Sequence, residues 1–291
     1  MSGPIDEYVS QSALMSFKPI NAIHQHLSGL HCYADNLKAA VPSHHFCACV
    51  RHDGDRGKIR QCLIYDSDKA DARLVGIEYV VDEDVFAALP EDEKVYWHSH
   101  KHEVESGQLN LVSKSFVPNV AEDIAEQGAM KELHRTYGKL ILTALHCGSQ
   151  TIHTWAVDRS PTVPLGPPSL MMAFTADGQV DPAIITARDK AEGHSTEHKR
   201  QLRAKYLDTS YQPLPGADQP MKTGKGIRFE PVEVDVEVPS PADQATWRGQ
   251  EKFEDVLSGK HKKAPYQPAA FVSPPSADFT SSIIGRPEHA V

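Results

Sequence analysis

The run Arg73-Leu74-Val75-Gly76-Ile77-Glu78-Tyr79-Val80-Val81 is the clearest strand pattern in the chain, dense in β-branched and aromatic side chains. Two shorter apolar runs precede it, His45-Phe46-Cys47-Ala48-Cys49-Val50 and Gln61-Cys62-Leu63-Ile64-Tyr65. The turn residues Asp53-Gly54-Asp55-Arg56-Gly57 lie between them, which predicts a hairpin with a long loop. Further upstream, between Pro19 and Pro42, Ile23, Leu27, Leu30 and Leu37 recur at intervals that a helix would use. Asp82 is placed to cap a short helix carrying Val85, Phe86 and Leu89. Pro90, with Glu91, Asp92 and Glu93 after it, predicts a second helical start, because proline suits the first turn and acids complement the helix dipole there.

Downstream, Asn119 three residues before Glu122 reads as a capping box. The helix it opens should carry Val120, Ile124 and Leu133 on one face and stop near Tyr137-Gly138, where glycine can take a left-handed cap. Leu140–Leu145 and Thr151–Val157 are two further strand-compatible runs around Gly148, Pro161–Pro168 is loop, and a charged helix from Asp181 to Leu207 is weakened in its middle by Gly193. Strands mixed with helices and joined by hairpins predict an α+β fold, a single domain with a mainly antiparallel sheet packed by helices.

Composition divides the chain. Eleven of the 21 prolines fall between Tyr211 and Val291, among Ser, Ala, Lys and Glu. The expected organisation is a flexible N-terminus over 1–17, a folded domain over 18–210 and a mostly disordered tail over 211–291. One island in the tail, Val232-Glu233-Val234-Asp235-Val236-Glu237-Val238, alternates strictly between Pro231 and Pro239, as an edge strand added to a partner's sheet would.

The net charge of −9 speaks against nonspecific nucleic-acid binding, which needs a cationic surface. No apolar stretch approaches the length that spans a bilayer, and Met1–Glu7 lacks the basic and apolar regions of a signal peptide, so a cytoplasmic protein is expected. The five cysteines are odd in number and form no paired CxxC motif, so buried thiols are expected in place of disulfides or a zinc knuckle.

Candidate chemistry concentrates in histidine. Twelve of the 16 lie between His24 and His153, and the densest knot is Trp97-His98-Ser99-His100-Lys101-His102-Glu103. Imidazole titrates near neutrality and is the commonest metal ligand. If 97–103 is extended, His98, His100 and His102 share a face, and two of them could hold one metal with remote help from His44, His45, His146 or His153. Glu103 would point away unless the chain turns before it. A metal-free version makes one histidine a general base oriented by Glu103 or Asp66, and the bland version is a hydrogen-bonded histidine cluster. The HxH-plus-Glu motif of cupins and the His-Ser-His of JAMM-type metalloproteases each match only in part. In the acidic turn after Tyr65, Arg73 is expected to pair with an aspartate.

Several strings, in order, resemble the plant oil-body-associated protein family, formerly a domain of unknown function: His44-His45-Phe46-Cys47, Arg60–Ser67, Asp71–Tyr79, Leu89-Pro90, Trp97-His98-Ser99-His100, Glu103-Val104 and Ser106-Gly107. Tyr137-Gly138-Lys139, His153-x-Trp155, Asp158-Arg159 and Pro164-Leu165-Gly166 continue the match, which covers roughly 18–210. Leu140–Gln150 and the proline-rich tail depart from the pattern. The resemblance implies a protein without assigned catalytic activity, peripheral to lipid droplets or engaged in lipid storage through a droplet surface or a droplet protein. It also moves the candidate site from a three-histidine set to His98, His100 and Glu103, with His44, His45 or His153 completing it. The rival expectation is therefore a metal-binding protein or metal-dependent enzyme, with a divalent ion such as zinc at that centre.

Overall fold

The computed structural model describes residues 14–51, 58–114, 116–139, 152–153, 162–233 and 235. After a short helix α1 (Lys18–Asn21) come four long strands, β1 (Gln25–Tyr33), β2 (Asn36–Arg51), β3 (Lys58–Tyr65) and β4 (Leu74–Asp82). All pair antiparallel in sequence order, Leu27 opposite His45, Cys47 opposite Cys62, and Cys62 opposite Glu78. Helices α2 (Glu83–Ala87) and α3 (Glu91–Lys94) lead to β5 (His98–Ser99), α4 (Lys101–Ser106) and β6 (Asn110–Leu111). Then follow α5 (Asn119–Leu133), β7 (Thr136–Lys139), β8 (Ile152–His153), β9 (Ser169–Ala173), α6 (Pro182–Glu192), α7 (Thr196–Arg203) and α8 (Gln219–Thr223). The α+β prediction stands: the sheet is antiparallel throughout and helices pack on it.

The sheet curls until it closes. Its order is β3-β2-β1-β9-β8-β4-β7-β5, and β3 also pairs with β4, so six strands form a ring from which β7 and β5 extend. Strand β4 shares its second edge, Gly76 and Ile77 facing β8 while Tyr79 to Asp82 face β7. On the face that carries Leu27, Cys47, Cys62, Ile64 and Val80, the apolar core is completed by Val104 of α4, Leu109, and Met130 and Leu133 of α5.

Several expectations change. The segment 25–33 is a strand, although its leucines recur at helical intervals. Seven consecutive residues of β1 are buried, so apolar side chains are needed on both faces and their spacing no longer discriminates. Helix α5 begins after Pro118 with no side-chain cap. Glu122 accepts from Ser113 Oγ and Lys199 Nζ, and so does not reach back to close a capping box. Leu133 is buried, but Val120 and Ile124 on the same helix are exposed. Gly138 lies inside β7, past the helix end. The charged helix near the end of the domain is two helices, broken at Gly193, whose φ of 74° is open to glycine. Cys47 and Cys62 form a disulfide across β2 and β3, in place of the expected buried thiols. Directly opposite strand positions on one face bring the two sulfurs together. The predicted cap holds at Asp82, which accepts from Val85 N at 3.1 Å, and the predicted helical start appears directly after Pro90, at Glu91. Of the alternating island, Val232 and Glu233 lie in no strand, and the rest falls mostly outside the described residues.

A charged lattice docks α7 on α5. Arg203 and Glu126 are both fully buried, and the guanidinium donates to Glu126 as well as to the carbonyls of Val104 and Leu109 at 2.8 Å. A buried carboxylate stripped of its partner costs far more than the pair contributes. Arg203→Met should therefore destabilise the fold by about 3 kcal/mol or more, read as a lowered urea midpoint. A loss under about 1 kcal/mol would mean that Lys199, 3.2 Å from Glu126, suffices alone.

Candidate metal centre

Three strands of the ring each turn one polar side chain to the same buried place: His31 from β1, His45 from β2 and Glu78 from β4. The histidine knot reaches it from the other side. Only His98 and Ser99 are extended; the chain then turns at His100 into α4, so residue 103 comes round where a continuing strand would have carried it away. His102 is directed elsewhere, toward Gln108 and Asp177. His98, His100 and Glu103 converge as the sequence suggests, but through a strand-to-helix turn and not through strand alternation.

Glu78 is the hub. Its Oε1 lies 3.3 Å from His98 Nε2 and 3.6 Å from His100 Nε2, and its Oε2 lies 3.3 Å from His45 Nε2. His45 Nε2 in turn lies 3.2 Å from His31 Nε2. His31, Glu78 and His98 offer three ligand atoms within 4.8 Å of one another, and so do His98, His100 and Glu103. All six side chains are buried.

Two glycines make the room. Gly138 stands opposite His98 across β5 and β7, and a Cβ there would collide with Glu78 Oε1 and His98 Nε2. Gly29, on β1 between Leu27 and His31, faces His45 and Glu103 at about van der Waals distance. A small cavity of about 10 Å³ remains, lined among others by His31, His45, Glu78, His100 and Glu103 and by the Cys47–Cys62 pair. That is room for about one water or ion. The backbone beneath is pinned from far along the chain: Asp218, in the left-handed conformation (φ 62°), accepts from Ser99 N at 2.8 Å and donates its own N–H to Trp97 O.

The electrostatics sort the two carboxylates. Burial pushes both up, but the imidazoles of His100, His98 and His45 overcome it at Glu78 and hold that carboxyl well below its usual range. At Glu103 the His98 ring offsets burial only in part, and burial, with the Glu78 charge adding to it, raises it to about 8; its Oε2 has no hydrogen-bond partner. Burial lowers His45 and His100, whereas Glu78 more than offsets burial at His98 and raises it. His100 Nδ1 donates to Thr136 Oγ1 at 2.8 Å, because that hydroxyl directs its own proton to Leu133 O. Nε2 is then the His100 atom turned toward Glu78.

The remaining candidates separate. His45 belongs to the cluster. His44 does not: it faces the opposite side of β2, sharing a proton with His26 at 3.1 Å and lying 3.8 Å from Glu192. His153 sits in β8 opposite Gly76, and its side chain lies outside the described residues, as does all of His146. Asp66 is taken by Arg73, as expected of that turn, and orients no histidine of the cluster. Glu78 and His31 are additions that sequence reasoning does not reach. Glu78 is concealed in the strongest strand pattern, and His31 in a segment whose spacing looks helical.

The geometry defines an α+β domain built around a buried cluster of imidazoles and carboxylates. The chain belongs to the family described as protein of unknown function DUF1264, whose pattern matches residues 17–207. It is 39% identical over 226 residues to oil body-associated protein 1A of Zea mays, covering 77% of this chain and 83% of that one. It is 40% identical over 228 residues to oil body-associated protein 1B of Arabidopsis thaliana, with the same two coverages, and 35% identical over 224 residues to maize oil body-associated protein 2A, covering 76% and 79%. No solved structure matches.

The His26–His44 pair, away from the cluster, sets a pH dependence. Burial first, and then the neighbouring His44, lowers the His26 ring from 6.5 to about 4. Between those values the unfolded ring takes up a proton that the folded ring refuses. The contribution to stability is complete above pH 6.5 and drains away as the pH falls toward 4. Thermal midpoints of a His26→Gln variant should fall less than those of the parent over that range; parallel curves would show that this ring does not carry the dependence.

Proposed function

We propose that this chain is a peripheral oil-body protein whose fold encloses a divalent transition-metal centre drawn from His31, Glu78 and His98 or from His98, His100 and Glu103, with His45 beside them. The observation that carries the metal reading is geometric: His31, Glu78 and His98, and likewise His98, His100 and Glu103, bring three buried ligand atoms within 4.8 Å of one another. Zinc bound tetrahedrally at its usual bond lengths sets its donors about 3.4 Å apart, and the separations of 3.2 to 3.6 Å around Glu78 suit that arrangement. Imidazole mixed with carboxylate favours a zinc-like ion over the all-oxygen sites of magnesium or calcium. A divalent charge would also let Glu103 ionise beside Glu78. The cavity is too small for an organic substrate, which favours a structural or sensing role for the ion over turnover of a large molecule.

The oil-body part of the reading comes from the names of the relatives. No described helix is long and apolar enough to cross a membrane, which favours association through the surface at the cytoplasmic side of a droplet.

Elemental analysis of protein purified without a histidine tag tests the centre. About one equivalent of metal is expected in the parent chain, with loss in the His98→Ala/His100→Ala double variant and in Glu78→Gln. Gly138→Ala should lose it too, because its methyl group occupies the space between Glu78 and His98. Equal, substoichiometric metal in all four would sink the proposal. A fluorescent fusion should rim droplets in lipid-loaded cells; a diffuse signal that never floats with the droplets would remove the oil-body part.

A further inference from the structure

The first half of helix α5 is inside out. The acids of that half point inward and are paired there: Glu122 with Lys199 and the Ser113 hydroxyl, Asp123 with His198 and Lys199, Glu126 with Arg203 and Lys199. Its outer face is apolar. Val120 is 71% exposed and Ile124 68%, and Phe116, one turn before them, is 79% exposed. Ala121 and Ala125 are exposed between them, and Gly128 opens onto free space. A helix of a water-facing surface has the reverse arrangement. Val120 and Ile124 bare on one stripe of the helix, with Phe116 bare just before its start, mark a surface made to be covered.

A second apolar segment lies at the same end of β1. Strand β6 runs antiparallel to β1, with Val112 N donating to His26 O, so the chain leaves toward Phe116 past the end where α1 enters. There Leu14, Met15, Phe17 and Ile20 are exposed, Leu14 by 90%. The exposed charges described in 14–20 and 113–128 are all positive, Lys18 and Lys114, since the acids of that half of α5 are turned in.

We propose that this face, Phe116, Val120 and Ile124 with the Leu14–Ile20 segment beside it, is the surface by which the protein lies on an anionic phospholipid monolayer over oil. The apolar side chains enter the acyl boundary while Lys18 and Lys114 meet the headgroups, the usual division of labour in an interfacial helix. The inference rests on the oil-body reading, and supplies the contact that this reading leaves unspecified. The bare face alone would suit a protein partner as well; the all-positive exposed charge favours an anionic lipid surface.

Flotation of the full-length chain with protein-free triolein droplets tests it, the monolayer being phosphatidylcholine with or without about one-fifth phosphatidylserine. The parent should float. Phe116→Asp/Val120→Asp/Ile124→Asp should float more than tenfold less, with an unchanged thermal midpoint because these positions are exposed. Lys18→Glu/Lys114→Glu should lose binding on the anionic droplets and keep it on the neutral ones. Val163→Asp/Leu165→Asp, in an exposed stretch leading into β9 at the opposite end of β1, should float like the parent. If the parent and the triple variant float equally, the lipid face is wrong and the oil-body reading survives. The lipid face is equally overturned if the parent floats only on droplets isolated from cells with their proteins, since it would then be a protein-docking site. A parent that floats on neither removes both.

Discussion

Everything in this domain has to accommodate a carboxylate held in the dark. Glu78 is 2% exposed and ionised, a condition that costs several kcal/mol unless neighbours offset it. The fold offsets it from three directions: imidazoles on two ring strands, and two more on the segment that runs from β5 into α4. Each carrier must arrive in register for the charge to be tolerated, so the pairing of β1, β2 and β4 and the turn at His100 are parts of one requirement. Gly138 belongs to the same requirement, as a place where any side chain would take the space that Glu78 and His98 occupy.

The second carboxylate gives the cluster its character. Two acids lining one enclosed space are pushed in opposite directions, Glu78 down and Glu103 up. Such an arrangement is incomplete without an ion or a proton. The buried salt lattice around Glu126 and Arg203 counterbalances this poise, fixing α7 and α5 over the sheet and keeping α4 from moving. Stability and chemistry are thereby placed on different faces of the same helices.

Much of this is visible in the sequence. The hairpin of β2 and β3, strand β4 and the starts of α2 and α3 follow from β-branched runs, turn residues and caps, all of which are local signals. His98, His100 and Glu103 are legible as a group because they are close in sequence. What is not legible depends on distant partners. His31 sits in a strand buried on both sides, where periodicity carries no information, and Glu78 looks like an ordinary polar residue of an alternating strand. Once β1 is recognised as a strand, Leu27, Gly29 and His31 share a face, and that pattern points to the second histidine. The disulfide escapes for the same reason: counting cysteines does not reveal which two stand opposite each other. Val120 and Ile124 look like core because hydrophobic periodicity says which face is apolar, not which face is inward.

The link between Ser99 and Asp218 has a consequence in time. Those residues are 119 positions apart, and the second lies beyond the stretch matched by the family pattern. A growing chain emerges residue by residue from its N-terminus. The ring strands can pair while synthesis continues, but the backbone under His98 stays unpinned until residue 218 is free to come back and claim it. The closure of this contact carries a long loop to be shut, which is slow compared with hairpin formation. The cluster thus acquires its final shape only once residue 218 has been made, after every strand of the ring.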